Sequence, residues 1–362
     1  MIDKTSALVV GAGPAGLSAA LELARLGVAV RIVDKVSAAT KESRAILVNT
    51  RSLDLLDPVG ASDRLIAAGV KLRGARIVVD GRVRVTMDAT RLPPPRKYLL
   101  ALAQNETERV LVECLLARGV AVERGVEVID IVNGTDSAAA RVKTPKGEAL
   151  FSADWIIGAD GAHSVVRHRI GLEFPGAPYP FHWSLADVEL LGDAEPDRAE
   201  LRLDYRGPVM VRAPIAPGRH RLISNSRNVL ARVPASWKPG KVHWQSDFSV
   251  SHRMVKRRGA GRIWLVGDAA HIHSPAGGRG MNLGIEDSVL LARTIASNGD
   301  LSAWEAQQQR HAATVVRESD MMQRVATSQG FLGRVLAPAL LGFFVRFPAI
   351  HDRMIARLAG IG

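Results

Sequence analysis

The run Gly11-Ala12-Gly13-Pro14-Ala15-Gly16 sits between a short apolar stretch, Ala7 to Val10, and an amphipathic one, Pro14 to Leu26. Glycines at that spacing permit what side chains forbid: a tight turn, a close approach to a phosphate, and a helix pressed against a strand. The helix that follows offers bare N–H groups to an anion. A second apolar stretch, Val28 to Val33, ends at Asp34, 18 residues beyond Gly16, where a carboxylate can accept hydrogen bonds from ribose hydroxyls. Together these specify a β-α-β dinucleotide-binding unit that opens a parallel, doubly wound sheet. Gly11, Gly13, Pro14, Ala15, Gly16, Asp34 and the adjoining Lys35 form the first group of predicted cofactor contacts. The unit alone leaves NAD and FAD both open.

The rest of the chain is read around that unit. Hydrophobic residues make up 47% and charged residues 23% of 362 positions, a globular composition that argues against disorder or a coiled coil. Asp80-Gly81 joins two strand-like runs, Ala75 to Val79 and Val83 to Met87, as a hairpin. Helical spacing over Glu106 to Arg118 is followed by strand patterns as far as Trp155 to Ile157. From Gly171 to Ala260 the pattern turns to short alternating strands. One more buried strand, Arg262 to Val266, precedes a helix over Asn282 to Ser297 and helical sequence after Trp304. The predicted fold is α/β with an α+β second domain. A Rossmann-like cofactor domain takes 1–70, 100–170 and 260–303, an interleaved β-sheet domain 71–99 and 171–259, and C-terminal helices 304–362.

The single cysteine, Cys114, excludes an intrachain disulfide, and no Cys/His cluster has zinc-ligand spacing, so no metal site is expected. That usage fits a reducing, cytoplasmic compartment. Val335 to Val345, the most apolar late stretch, contains Pro338 and falls short of the ~20 residues a bilayer crossing needs, so no transmembrane helix is expected.

A second motif narrows the cofactor. Arg262-Ile-Trp-Leu-Val-Gly267-Asp268-Ala-Ala-His271 runs from a buried strand into Ser274-Pro275-Ala-Gly277-Gly278-Arg279-Gly280-Met281-Asn282. Asp268 is delivered to a strand end, and glycine-rich backbone ahead of a helix is an anion site suited to a reduced flavin. With Gly158-Ala-Asp160-Gly161-Ala-His-Ser164-Val-Val-Arg167 as a third motif, the chain resembles the flavoprotein monooxygenases of the p-hydroxybenzoate hydroxylase family. These are FAD-dependent aromatic hydroxylases, and the resemblance covers nearly the whole chain. It implies non-covalent FAD, with Asp268 beside Gly267 on the ribityl chain, the backbone of Gly278, Gly280, Met281 and Asn282 around the isoalloxazine, and Pro275 beside the ring. It associates Asp160 and Gly161 with FAD and the nicotinamide cofactor, and makes Arg167 available for a phosphate. By position in the stretch that begins Ser43-Arg44-Ala45, and at the start of the next helix, Arg44, Ala45 and Gln104 inherit flavin contacts.

The same resemblance implies the chemistry. NADPH or NADH docks transiently to reduce FAD, a flavin C4a-hydroperoxide forms with O2, and one oxygen atom passes to an aromatic or polyketide-like small molecule. No second Gly-x-Gly-x-x-Gly supplies a separate nicotinamide domain. No side chain stands out as a catalytic base; the tyrosines are Tyr98, Tyr179 and Tyr205. Tyr205, Met210 and Arg212 are the candidate substrate contacts, because Tyr205 to Pro214 resembles strands that line the family's substrate cavity. Alternation puts Met210, Arg212 and Pro214 on one face. His271 and His273 flank the flavin loop, and His271 reads as a structural hydrogen-bonder. The Trp-x-Trp-x-Ile-Pro signature of flavin halogenases is missing. Two other readings stay open: a flavin-dependent reductase or desaturase of the geranylgeranyl reductase type, and a non-catalytic flavin-binding protein that sequesters a reactive molecule.

Charge adds a last expectation. The net charge is +12, and residues 201–262 alone hold 14 Lys or Arg against Asp204 and Asp247, so the excess lies in the second domain. No nucleic-acid motif accompanies it, and no nucleic-acid partner is expected. Either the segment is a solvated face, or a surface including Lys256, Arg257 and Arg258 attracts an anion. That anion would be NADPH, a carboxylated substrate or an acidic carrier protein presenting a tethered one.

Overall fold

The computed structural model describes residues 3–39, 45–192, 194–203, 207–275, 277–327 and 337–361. Strand Asp3–Val10 is central in an eight-stranded sheet because it is apolar on both faces: Ala7, Leu8 and Val9 have no exposure at all. Its parallel neighbours are Gly147–Gly158 and Val30–Asp34, with Ile263–Leu265 beyond the first and Val122–Arg124 beyond the second. Val10 pairs with both Gly158 and Val33, and Gly158 pairs with Leu265. This register brings Gly11, Asp34, Ala159 and Val266 out together at the carboxyl edge of the sheet, where open α/β sheets bind ligands. Helices Pro14–Arg25, Gln104–Leu116 and Gly280–Ala296 share one core with this sheet, through Leu17, Leu111 and Ile285 among others.

The second eight-stranded sheet has the spatial order Arg82–Asp88, Gly74–Val79, Arg198–Leu203, Val209–Ala216, Arg219–Ser224, Gly176–Leu190, Pro239–Met254 and His271–Ile272. The Asp80-Gly81 hairpin forms one edge, both turn residues at positive φ, 48° and 74°. The short strands expected between 171 and 260 are corrected by two long ones, of 15 and 16 residues, paired antiparallel. Lys241, His243, Gln245, Asp247 and Ser249 are exposed at alternate positions of the second, which gives a continuous strand the polarity of a turn region. At the far edge, His271–Ile272 pairs with Met254 and Arg253. The chain therefore passes from the Asp268 turn through this sheet before entering the glycine-rich loop.

The 27-residue helix Leu301–Thr327 packs on Gly280–Ala296 through Leu283, Ala312 and Val315, and Trp304 meets Trp264 edge-on at 5.7 Å. Among the described residues no helix is long and apolar enough to cross a membrane.

Candidate functional site

The glycines of the first loop divide the work. A Cβ on Gly16 would overlap the Gly11 carbonyl, and one on Gly11, at φ +102°, would overlap that of Ala159. These two positions let the helix press onto the strand ends. A Cβ on Gly13 would meet nothing within 4 Å among the described residues. Gly13 is the N-cap of Pro14–Arg25, without a side-chain cap, so open space adjoins unsatisfied N–H groups. Asp34 holds the loop from the side, accepting from the Ala12 N–H at 2.7 Å and the Val36 N–H at 2.9 Å, and Lys35 is exposed beside it. Arg124 lies 3.7 Å from Asp34, a cation that sequence reasoning missed; its one signal is its place opposite Asp34 in the register.

Asp160 backs this loop, since a Cβ on Gly11 would also lie 2.9 Å from the Asp160 Cα, and Gly161 turns the chain away at φ +80°. The Asp160 carboxylate accepts from Ser164 Oγ at 2.5 Å and the Val166 N–H at 3.1 Å, and burial raises its pKa, so it braces its own turn. Arg167 is not available for a phosphate, which corrects the expectation. It is 4% exposed, donates to the carbonyls of Ala269 and Ala162, both at 2.9 Å, and stacks on Phe174. Its role is to pin the turn after Asp268.

That turn touches the first loop. A Cβ on Gly267 would lie 2.9 Å from the Ala15 Cβ, and one on Gly284 3.4 Å from the same atom. Asp268 itself is exposed. The Gly280–Ala296 helix begins with Arg279 as N-cap and without a side-chain cap, leaving the first N–H groups, from Gly280 and Met281 onward, open to a ligand. The Asn282 side chain is occupied elsewhere. Its amide donates to the carbonyls of Leu47 and Gly278 at 2.8 and 2.9 Å, and its oxygen accepts from the Asn49 N–H and Ser52 Oγ, both at 2.9 Å. This fastens Leu47–Val48 against the loop, where a Cβ on Gly278 would come within 3.2 Å of Leu47. Pro275 is exposed, and its carbonyl accepts from the Gly278 N–H at 2.9 Å. Gln104 meets Ala45 twice, its N–H donating to the Ala45 carbonyl at 3.0 Å and its side-chain oxygen accepting from the Ala45 N–H at 3.4 Å. Arg44 and Tyr205 lie outside the described residues.

The candidate substrate contacts need correction. Met210 and Arg212 do share a face, but Met210 packs with Leu222, Val229 and Trp237. Arg212, 1% exposed, donates to the carbonyls of Glu195 and Arg198 and to His220 Nδ1. The segment from Val229 to Trp237 covers this outer face. The opposite face carries Arg221, which pairs in register with Asp187 and Ala213. Its guanidinium donates to both Asp187 carboxylate oxygens at 2.7 and 2.8 Å, and its Nη1 reaches the Ala45 carbonyl at 3.4 Å. That contact marks the face turned toward Ala45 and the glycine-rich loop. Trp183, Leu185, Val211, Ile223, Trp244 and Phe248 cluster on it, and Val211, Trp244 and Phe248 remain partly exposed.

Behind the loop lies a buried polar cluster. Asp287 accepts from Arg258 at 2.6 Å and from His271 Nε2 at 2.5 Å, all three at or below 1% exposure. Burial pushes the Asp287 carboxyl upward, but Arg258 and His271 outweigh it and hold it below the ordinary range. His271 is thus the structural hydrogen-bonder expected. Arg258 is interior, so Lys256, Arg257 and Arg258 do not form a surface cluster as expected. The tyrosines supply no phenolate base among the described residues: burial raises Tyr98 and Tyr179, and Tyr179 donates to Asp320 at 2.7 Å.

Fold and site together define an α/β dinucleotide-binding protein with a second sheet turned toward its glycine-rich loops. Residues 4–200 and 224–319 match the FAD binding domain family. The chain belongs to that family, and within it to the FAD-dependent monooxygenases. It is 34% identical over 312 residues to the 6-methylpretetramide 4-monooxygenase of Streptomyces rimosus, covering 81% of this chain and 56% of that one. It is 31% identical over 373 residues to an uncharacterized aromatic compound monooxygenase of Bacillus subtilis, covering 95% and 73%. The crystal structure of p-nitrophenol 4-monooxygenase from Pseudomonas putida superposes with a TM-score of 0.90 at 23% identity, covering 100% of this chain and 99% of that one, a likeness of fold.

Proposed function

We propose that this chain binds one FAD non-covalently and uses NADPH or NADH and O2 to hydroxylate an aromatic or polyketide-like small molecule. The observation that carries the reading is the meeting of three parts on the short segment from Ala45 to Leu47: the Gln104 helix and Arg221 of the second sheet at Ala45, and the flavin loop, through Asn282, at Leu47. Gly11 to Gly16 and Asp34 would hold the nucleotide end, Gly267 and Asp268 the linker, and the N–H groups of Gly280 and Met281 the ring. Space beside Gly13 and an uncapped helix at each end fit a dinucleotide whose pyrophosphate and ring edge both carry negative charge. When bound, FAD supplies hydride acceptance and oxygen activation. The chain's part is orientation and the exclusion of water. Val211, Trp244 and Phe248, backed by the buried Trp183, Leu185 and Ile223, offer an apolar surface for a ring system, and Arg221, matched by Asp187, adds no net charge to it. This wall suits an uncharged polycyclic substrate better than a carboxylated one.

The test is turnover with a panel of phenols and polycyclic aromatics, with and without air. The expected result is a yellow protein with one FAD per chain and substrate-dependent consumption of both NAD(P)H and O2. Consumption of NAD(P)H with substrate reduction in the absence of O2 would identify a reductase, and consumption of neither a sequestering protein.

A further inference from the structure

His273 stands where the second sheet hands the chain to the flavin loop. Its Nδ1 lies 2.9 Å from the Ser274 carbonyl, which can only accept, so Nδ1 carries the proton and Nε2 presents a bare lone pair. Nε2 is buried without a partner among the described residues, and the side chain is 9% exposed. It lies 3.7 Å from the position of a Cβ on Gly280, the first residue of the 17-residue helix that starts without a side-chain cap. Such an unpaired buried acceptor is costly unless a donor or a proton reaches it. The groups around it explain why it stays neutral. His271, two residues before it, is bound to Asp287 of the Gly280–Ala296 helix, which Arg258 also neutralises. Arg279 of the loop is paired with Glu318 of Leu301–Thr327, and the uncharged Gln323 of that helix binds Ser274. Burial first, then His271 and Arg279, push His273 down to about 4.

We propose that His273 is a charge-coupled proton acceptor, taking a proton on Nε2 when an anion forms at the N-terminus of the Gly280–Ala296 helix. The inference rests on the reading that the flavin ring sits at that helix. A hydride donor delivers two electrons and one proton to FAD, giving the anionic reduced flavin; the second proton comes from solvent and binds His273, leaving the buried site neutral. A negative charge this close can move an imidazole pKa by several units.

The experiment measures the midpoint potential of the holoenzyme's flavin against pH, between about pH 6 and 8, with the spectrum of the reduced flavin recorded alongside. The expected wild-type result is an anionic reduced flavin with two protons taken up per electron pair, twice the one-proton slope of an uncoupled anionic flavin. His273→Gln should retain FAD and fall to one proton per pair. A one-proton slope in the wild type, a two-proton slope with a neutral reduced flavin, or an unchanged slope in His273→Gln overturns the inference and leaves the proposed function standing. If that variant does not fold, the wild-type slope and spectrum decide by themselves. A chain that binds no FAD overturns both readings.

Discussion

In the glycine loop the absence of a side chain specifies the structure, whereas on the second sheet the parity of a residue does. Gly11 and Gly16 sit where any Cβ would strike a backbone carbonyl, so the residue type itself announces the packing. Met210 and Val211 are both apolar, adjacent and in the same strand, yet one faces Trp237 and the other Ile223. A steric requirement leaves one residue possible. A facing requirement leaves a choice of two, settled only by what lies on each side of the sheet.

The strongest test of the steric half separates two glycines of one motif. Gly16→Val should yield no folded protein, because its side chain would occupy the space of the Gly11 carbonyl. Gly13→Ala should melt like the wild type, since φ of −76° suits alanine and nothing crowds its Cβ, but should lose at least about tenfold in FAD affinity by filling the phosphate approach. Thermal melts and FAD titration check the pair. If Gly13→Ala bound FAD normally, the open space beside it would have another use.

The next effect concerns charge in the interior. Asp287→Asn or Arg258→Met leaves a buried ion without its partner and should cost about 3–5 kcal/mol. Lys256→Glu with Arg257→Glu should change stability by less than about 0.5 kcal/mol, because both residues are exposed and Lys256 has only a 3.9 Å contact with Glu173. Denaturant midpoints of the two sets, separated by several kcal/mol, would show that neighbours in sequence do not share an electrostatic role here.

Much of the frame was legible in the sequence for the same steric reasons. The β-α-β unit, the Asp80-Gly81 hairpin, the strand before Asp268 and the helix after Gly280 all carry glycine or periodicity signals with a single physical solution. Arg221 and Asp187 were not legible, since a cation and an acid 34 positions apart are linked only by strand register. Nor was the burial of Arg212 and Arg258: a guanidinium reads as surface until its carbonyl and carboxylate partners are known. Arg167 misled in the same sense, because an arginine close after the Asp160-Gly161 turn can serve backbone carbonyls instead of a phosphate.

Acid should erode the fold through its buried histidines. His220, desolvated and accepting from Arg212, is pushed down to about 4, as is His273. The native state stays neutral at these sites below pH 6.5 while the unfolded chain protonates, so the unfolded state binds more protons between pH 6.5 and about 4. Stability therefore falls as pH drops through that window, by up to about 3 kcal/mol for each histidine. His220→Gln should flatten its share of the slope in urea titrations of the FAD-free protein at several pH values; an unchanged slope would mean the imidazole titrates normally in place.

The smallest effect decides the face. Met210→Leu conserves volume and should cost less than about 1.5 kcal/mol while leaving substrate KM unchanged, because Met210 is buried against Val229 and Trp237 on the outer face. Val211→Ala removes two methyl groups from the partly exposed inner wall and should raise KM roughly 10-fold with little change in FAD content. The two positions are adjacent, so any general loosening of the strand would move both parameters in both variants. A KM change in Met210→Leu with none in Val211→Ala would reverse the assignment of faces and send the substrate to the Trp237 side, where Arg212 is buried and held by two backbone carbonyls and His220.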